Sequence, residues 1–375
     1  MKNQGFTLIE LLAVIVILAI ISLIATPIIL NIIDDSKESS DLRSADSYLD
    51  ATEMSLAHSK LNNKNIPDGT YNIKDGDICL NADCSDKLEV DVNGEAPKSG
   101  SITIANGNIS ASNMIINEKE ITKNSKGEVV YVKFLEDVCT YVNNGVAEKT
   151  MGAKYECIVD PERPAYTFYV LTTPKSGDTT INLIMDQNIN SDGTPAGTTR
   201  VTKQDNPLQY NLVEWINNED YLLQGGSQED WDKEEKYDIT GSIIQPGYKN
   251  IYGPITAMNF LSEATKNWTN INELTIDSFF CEYDGNTYKM KTYYTYARLP
   301  IYLDDSTKTE VGNKLSNSVF DFLYENLGDG LSYWTNVSIN AQDMWAVSGS
   351  GHPVQERIYY KLGVRPVISL KLNTN

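Results

Sequence analysis

Followed along the chain, the pattern of apolar and polar positions changes three times. After Gly5 come 28 residues, Phe6 to Ile33, that carry a single charge, Glu10. A helix crossing the hydrocarbon core needs about 20 apolar residues, so this run is long enough to span with tilt. From Asp34 to Leu61 there is neither Gly nor Pro, and Leu42, Ala45, Leu49, Thr52 and Leu56 recur at spacings of three and four. That spacing draws a narrow stripe on one helix face, with charged residues around it. The two stretches predict one helix from about Thr7 to Leu61, on the order of 80 Å long at about 1.5 Å per residue. Its first half, apolar all round, requires lipid or other helices around it, and its second half packs against a globular part.

Pro67, Asp68 and Gly69 end the helical region, and the pattern turns to period two as far as about Lys133. Leu88, Val90 and Val92 alternate with Glu89 and Asp91, and Ile102 and Ile104 alternate with Ser101, Thr103 and Ala105. Asp75-Gly76, Asn93-Gly94 and Asn106-Gly107 punctuate the strands as turns. A small antiparallel sheet follows, one face on the helix and one outward. From about Phe134 onward the chain is richer in aromatics, and all five tryptophans (Trp215, Trp231, Trp268, Trp334, Trp345) lie there. Such residues bury large areas and require a sizeable core. Short strands are predicted at Tyr166–Thr172, Ile181–Met185, Ile358–Leu362 and Val367–Leu372, and helices at Leu208–Asn218, Ile255–Asn267 and Leu315–Asn326. Long polar loops run over Asp186–Gln204 and Gly225–Lys236. The mixture is α+β.

The segment Gly5-Phe6-Thr7-Leu8-Ile9-Glu10 resembles the processing site of type IV prepilins and pseudopilins. The resemblance implies a leader, 1–5, removed after Gly5 by a membrane peptidase that also methylates the new terminal amine of Phe6. It implies that Glu10 pairs with the terminal amine of a neighbouring subunit, and Pro27 matches the position of a helix-kinking proline in many pilins. The implied organisation is a transmembrane and filament-core helix over 6–33, an amphipathic helix with a β-meander head over 34–133, and a further domain over 134–375. The implied partners are other pilin subunits, the prepilin peptidase and the membrane. An ordinary secretory signal fits less well, because its apolar region is shorter and its cleavage site follows that region.

Composition sharpens this picture. The chain has 375 residues, 31 basic and 51 acidic, a formal charge of −20. An acidic balance argues against nucleic-acid backbone binding, which requires clustered Lys and Arg, and suits a solvated surface protein. Lys2 before the apolar run and Asp34-Asp35 after it favour an N-terminus in the cytoplasm and the bulk outside. Outside the cytoplasm, cysteine pairing is permitted. Of Cys79, Cys84, Cys139, Cys157 and Cys281, the close spacings suggest Cys79–Cys84 and Cys139–Cys157 as disulfides; the alternative is five thiols. No zinc site is expected, since no C-x2-C occurs and the only histidines are His58 and His352.

A second resemblance covers 134–375. Ala297-Arg298-Leu299-Pro300, Tyr333-Trp334-Thr335, Trp345-Ala346-Val347 and Gly363-Val364-Arg365-Pro366-Val367 occur in that order. They resemble a bacterial surface domain related to the C-type-lectin-like fold of formylglycine-generating enzymes. That resemblance implies a displayed binding domain for a surface glycan or protein. The enzymes use a cysteine pair late in the domain, and no cysteine follows Cys281 here, so no catalytic residues and no cofactor are expected. Asp186, Asn188, Asn190 and Asp192 have the spacing of a calcium loop, but Ser191 takes the place of its glycine and no glutamate closes it, which leaves a polar turn. His352 beside Gly351 lacks any G-x-S-x-G nucleophile motif and reads as a loop residue. Arg298 and Arg365 either anchor the fold or face a ligand.

Overall fold

A computed structural model describes residues 8–196, 212–223, 228, 254–283, 288–300, 333–338, 343–347, 353–357 and 360–373. The chain divides into two compact units, Met1–Val132 and Lys133–Asn375. The fold is α+β with antiparallel sheets throughout.

The first unit opens with α1 (Leu8–Leu61), 54 residues without interruption. It does not stop at Ile33, where the apolar run stops, because the polar half that follows has no helix breaker and is held by its own sheet. Among the described residues, no helix is long and apolar enough to cross a membrane; the anchoring expected of 6–33 therefore rests on its sequence pattern. The sheet consists of β1 (Gly69–Lys74), β2 (Asp77–Cys79), β3 (Lys87–Leu88), β4 (Ser99–Ala105), β5 (Asn108–Ile116), β6 (Lys119–Lys123) and β7 (Val129–Tyr131), in the order β3-β2-β1-β4-β5-β6-β7. Its inner face (Ile73, Ile78, Ile102, Ile104, Met114, Ile116, Ile121) closes on Ala45, Tyr48, Leu49 and Leu56 of α1. The helix stripe is wider than the apolar letters alone, since Asp41, Ser44 and Thr52 are buried with it.

The hairpin turns follow the turn chemistry. Asp75-Gly76 and Asn106-Gly107 each take two left-handed residues in two-residue hairpin loops, β1–β2 and β4–β5. Asn93-Gly94 does not close a hairpin. The strand predicted over 88–92 pairs only at Lys87–Leu88, and the chain then leaves the sheet and is tied to α1 instead. Ser55 Oγ donates to the Glu89 carbonyl (3.1 Å), and the Glu95 N–H donates to Ser44 Oγ (3.2 Å). Val90 and Val92 still pack on the core, so the alternation reports burial without a ladder. A hairpin that the sequence did not announce joins β5 to β6 through Asn117 and Glu118, both left-handed with φ of 49° and 66°.

The second unit holds a five-stranded sheet built from β8 (Cys139–Val142), β9 (Lys154–Cys157), β10 (Tyr166–Val170), β11 (Thr180–Met185) and β19 (Val367–Lys371), in the order β19-β11-β10-β9-β8. Short α2 (Leu135–Val138) precedes it. Around it are α3 (Asn218–Leu223), α4 (Ile255–Ala264) and three smaller antiparallel sheets: β12 (Val213–Glu214) with β18 (Lys361–Leu362), β13 (Leu274–Tyr283) with β14 (Tyr288–Thr295), and β15 (Tyr333–Ser338), β16 (Asp343–Val347) and β17 (Pro353–Arg357). Trp215, Trp268 and Trp334 are fully buried in its core with Phe168, Leu183, Leu261 and Ile368. The unit's entry and exit lie together. The Lys371 N–H donates to the Lys133 carbonyl (3.2 Å), and the Asn272 side chain bonds both the N–H and the carbonyl of Lys133 (2.8 Å each).

The helix predicted over Leu208–Asn218 is not observed in the part described. Val213–Glu214 pairs as a strand with β18, and α3 starts only at Asn218. Asn217 sets that start, its Oδ1 accepting from the Asp220 N–H at 2.7 Å, which satisfies a donor left free in the first turn. Of the strand predicted over Ile358–Leu362, Lys361–Leu362 is observed as β18, while Ile358 and Tyr359 lie outside the described residues. The helix predicted over Leu315–Asn326, most of the loop Gly225–Lys236 and the loop beyond Ala196 lie outside the described residues.

Candidate functional site

Gly5 and Phe6 lie outside the described residues, while the backbone of Glu10 lies within α1. Pro27 sits inside α1, where it withholds an N–H from the Leu23 carbonyl four residues before it, yet the helix continues through it. The apolar side chains described along this half face outward: Leu8 is 83% exposed, Leu23 79% and Ile32 61%. A row of large exposed aliphatic groups this long marks an interaction surface, because each fully buried one contributes about 1.5–3 kcal/mol.

Where the apolar run ends, a polar clamp fixes α1 to its sheet. Asp41 is only 6% exposed. One of its oxygens accepts from the Asn117 side chain (2.8 Å) and the other from the Tyr131 hydroxyl (3.2 Å), which also reaches the Glu38 carbonyl (3.2 Å). Lys119 pairs with Glu38 at 2.8 Å and lies 4.9 Å above the Tyr131 ring. Burial and the Asp41 charge push the Tyr131 hydroxyl well above the ordinary tyrosine range, so it stays a donor. Neither Asp41 nor Asn117 was singled out from the sequence. Asp41 continues the stripe of Ala45 and Leu49 one turn earlier, but its polarity masks it, and Asn117 lacks the following glycine that marks a two-residue turn.

The chain carries two disulfides, Cys79–Cys84 (Cα–Cα 4.6 Å) and Cys139–Cys157 (Cα–Cα 4.1 Å). Cys139 and Cys157 are direct cross-strand partners in β8 and β9, which is why their backbones approach so closely. Cys281 stands opposite Met290 in the β13–β14 pair. A cavity of about 370 Å³ with a mixed polar and apolar lining opens between the Cys79–Cys84 loop and strands β1 and β4, where Ile73 and Ala82 line it beside Asn72, Lys74, Asp83 and Ser99.

In the second unit, the turn from Asp186 to Ala196 closes on itself. Asn190 bonds Thr194 Oγ1 and the Pro195 carbonyl, and Asp192 accepts from both the N–H and the hydroxyl of Thr194. Those bonds hold the Asp192 carboxyl below the usual carboxylate range. Gly193 is packed so tightly that an added Cβ would lie 2.5 Å from the Ala264 carbonyl. Among the described residues no group of acidic, histidine or cysteine side chains is arranged to hold a metal ion. Arg365 is wholly buried. Its guanidinium donates to the Asp186 carbonyl and lies 5.0 Å from the Tyr333 ring centre, and burial lowers its pKa from the ordinary range. Arg298 reaches the Leu299 carbonyl, and its backbone pairs with Val367. Arg365 is thus part of the fold's interior.

The first 26 residues match the family model of the prokaryotic N-terminal methylation motif. That match supports a type IV pilin-like processed subunit. A motif of this kind implies processing by a prepilin peptidase and assembly with other pilin subunits. No curated protein matches the chain, and no solved structure does.

Proposed function

We propose that the chain is a minor or specialised type IV pilin-like subunit, cut after Gly5, methylated on Phe6, held in the membrane by one pass before assembly, and displaying its second unit outside the cell. The observation that carries this reading is the overlap of the methylation motif with α1, whose described apolar side chains are turned outward as far as Ile33. Phe6 to Ile33 packs in the filament core, and Glu10 pairs with the Phe6 amine of a neighbour. The second unit is a C-type-lectin-like binding domain for a surface glycan or protein. The order of the Arg298, Trp334 and Arg365 segments and their convergence on one core support that reading. It binds without catalysing, since no thiol follows Cys281.

The test is to express the full chain with a prepilin peptidase and read the mature N-terminus by mass spectrometry. A chain starting at N-methylated Phe6 is the expected result; an uncut chain, or one cut after Ile33, overturns the reading. Glu10→Ala leaves the neighbour's amine unpaired in an apolar surrounding, at about 3–5 kcal/mol. Its incorporation into filaments, measured in sheared fractions, falls on the order of 100-fold or more; unchanged incorporation removes the pairing.

A further inference from the structure

We infer that Asn93-Gly94 is a site of spontaneous deamidation, and that its conversion loosens the strap 89–95 from α1. The sequence contains Asn-Gly at three places: Asn93-Gly94, Asn106-Gly107 and Asn144-Gly145. In each, the reaction has the same course. The amide nitrogen of the glycine attacks the asparagine Cγ, ammonia leaves with the proton that the nitrogen gives up, and one water opens the cyclic imide to aspartate or isoaspartate. No other reactant is involved. The attacking nitrogen must be free of competing hydrogen bonds, and the asparagine side chain must be able to swing onto it.

The fold protects two of the three. At the β4–β5 turn, the Gly107 N–H donates to Asp68 Oδ1 (3.4 Å), and the Asn106 N–H donates to Oδ2 of the same carboxylate (2.8 Å). At the third site, the Gly145 N–H donates to Asn143 Oδ1 (3.0 Å), while the Asn144 side chain is held at both ends, by the Gly152 carbonyl (2.9 Å) and the Val146 N–H (3.4 Å). At Asn93 neither restraint exists: among the described residues its side chain and the Gly94 N–H make no hydrogen bond, and Asn93 is exposed.

The product matters because of what flanks it. Val92 on one side packs on the core, and Gly94 on the other lies so close to α1 that an added Cβ would sit 3.0 Å from Ser44 Oγ. An isoaspartate inserts one methylene into the backbone between these fixed points. It also adds a carboxylate between Asp91 and Glu95. Both changes act against the Glu95–Ser44 bond that ties the strap to the helix.

The experiment is to hold the mature full-length protein at mildly alkaline pH and follow all three sites by peptide mapping that separates aspartate from isoaspartate. Asn93 is expected to convert several-fold faster than Asn106 and Asn144, and Asn93→Gln to remove that fast phase. Conversion of Asn106 or Asn144 first, or of all three at one rate, overturns the site. Hydrogen exchange on the aged protein tests the consequence. Faster exchange over 44–55 than in Asn93→Asp, which carries the charge without the extra methylene, supports strap lengthening. Exchange unchanged by ageing overturns it.

Discussion

In the seven-stranded sheet, every pairing joins strands consecutive in the chain except β1 with β4, and the 24 residues from 75 to 98 intervene there. In the five-stranded sheet the exceptional pair is β11 with β19, and the 181 residues from 186 to 366 intervene. Closing the longer loop costs only about 2 kcal/mol more, because closure entropy grows with the logarithm of length. The two sheets therefore differ less in stability than in dependence. The first can form from local pairs against α1, whereas the second is incomplete until the end of the chain arrives. Non-local pairing of that kind slows folding. It also makes the second unit all-or-none in its last strand.

The sharpest way to break the comparison is to remove that strand. Val367, Ile368 and Leu370 of β19 are fully buried, and the strand pairs with β11 from Thr180 to Ile184. Deleting residues 367–375 strips one edge of the sheet and opens the core around Leu183. Each large buried aliphatic side chain removed costs about 2–5 kcal/mol, and together they exceed the stability of an ordinary domain. Thermal unfolding followed by limited proteolysis is expected to show the second unit lost and the first, 34–132, retained with its transition unmoved. Loss of both would show that the units fold as one.

The same contrast explains what was legible beforehand. In the first unit the helix stripe, the Asp75-Gly76 and Asn106-Gly107 turns and the strands at Ile102 and Ile104 follow from periods of 3.6 and 2, because all but one of the strand pairings, β1 with β4, join strands consecutive in the chain. What escaped were the polar contacts that lock them: Asp41 to Asn117 and Tyr131, and the strap that satisfies its backbone on Ser44 and Ser55 instead of on a strand. Those depend on distances that only the folded chain brings about. In the second unit, β11 and β19 were readable as strands but not as partners. The Leu208–Asn218 reading failed because Asn217 caps a later helix while Val213 is claimed by a strand far along the chain. The buried role of Arg365 was open in the sequence and is decided by the Asp186 carbonyl and the Tyr333 ring.

The disulfides sharpen the comparison at a middle scale. Constraint on the unfolded chain grows with the loop closed, so Cys139–Cys157, with a separation of 18, is worth more than Cys79–Cys84, with a separation of 5. The chain-entropy relation gives about 3 kcal/mol for the first and about 2 kcal/mol for the second. Cys139→Ser with Cys157→Ser is expected to lower the unfolding midpoint of the second unit alone, by more than Cys79→Ser with Cys84→Ser lowers that of the first. Denaturant titrations with a probe in each unit read the two separately; equal shifts would remove loop length as the deciding term.

The smallest effect lies in the β5–β6 turn and carries the opposite sign. Asn117 and Glu118 are both left-handed, a conformation that costs an ordinary residue about 1–2 kcal/mol. At Asn117 the side chain offsets that cost through its bond to Asp41. Glu118 is exposed and makes no hydrogen bond among the described residues, so nothing offsets it there. Glu118→Gly relieves the strain and gives back part of it as unfolded-chain entropy, for a net gain of about 0.5–1 kcal/mol. Asn117→Gly relieves the same strain but leaves the buried Asp41 oxygen without its donor, at about 1–3 kcal/mol, so it is expected to destabilise. Two neighbouring residues with the same backbone conformation thus respond to the same substitution with opposite signs. Unfolding of the first unit, measured on both variants, decides whether the turn serves the sheet or the helix. A gain from both would mean that the Asp41 contact contributes little to the grip on α1.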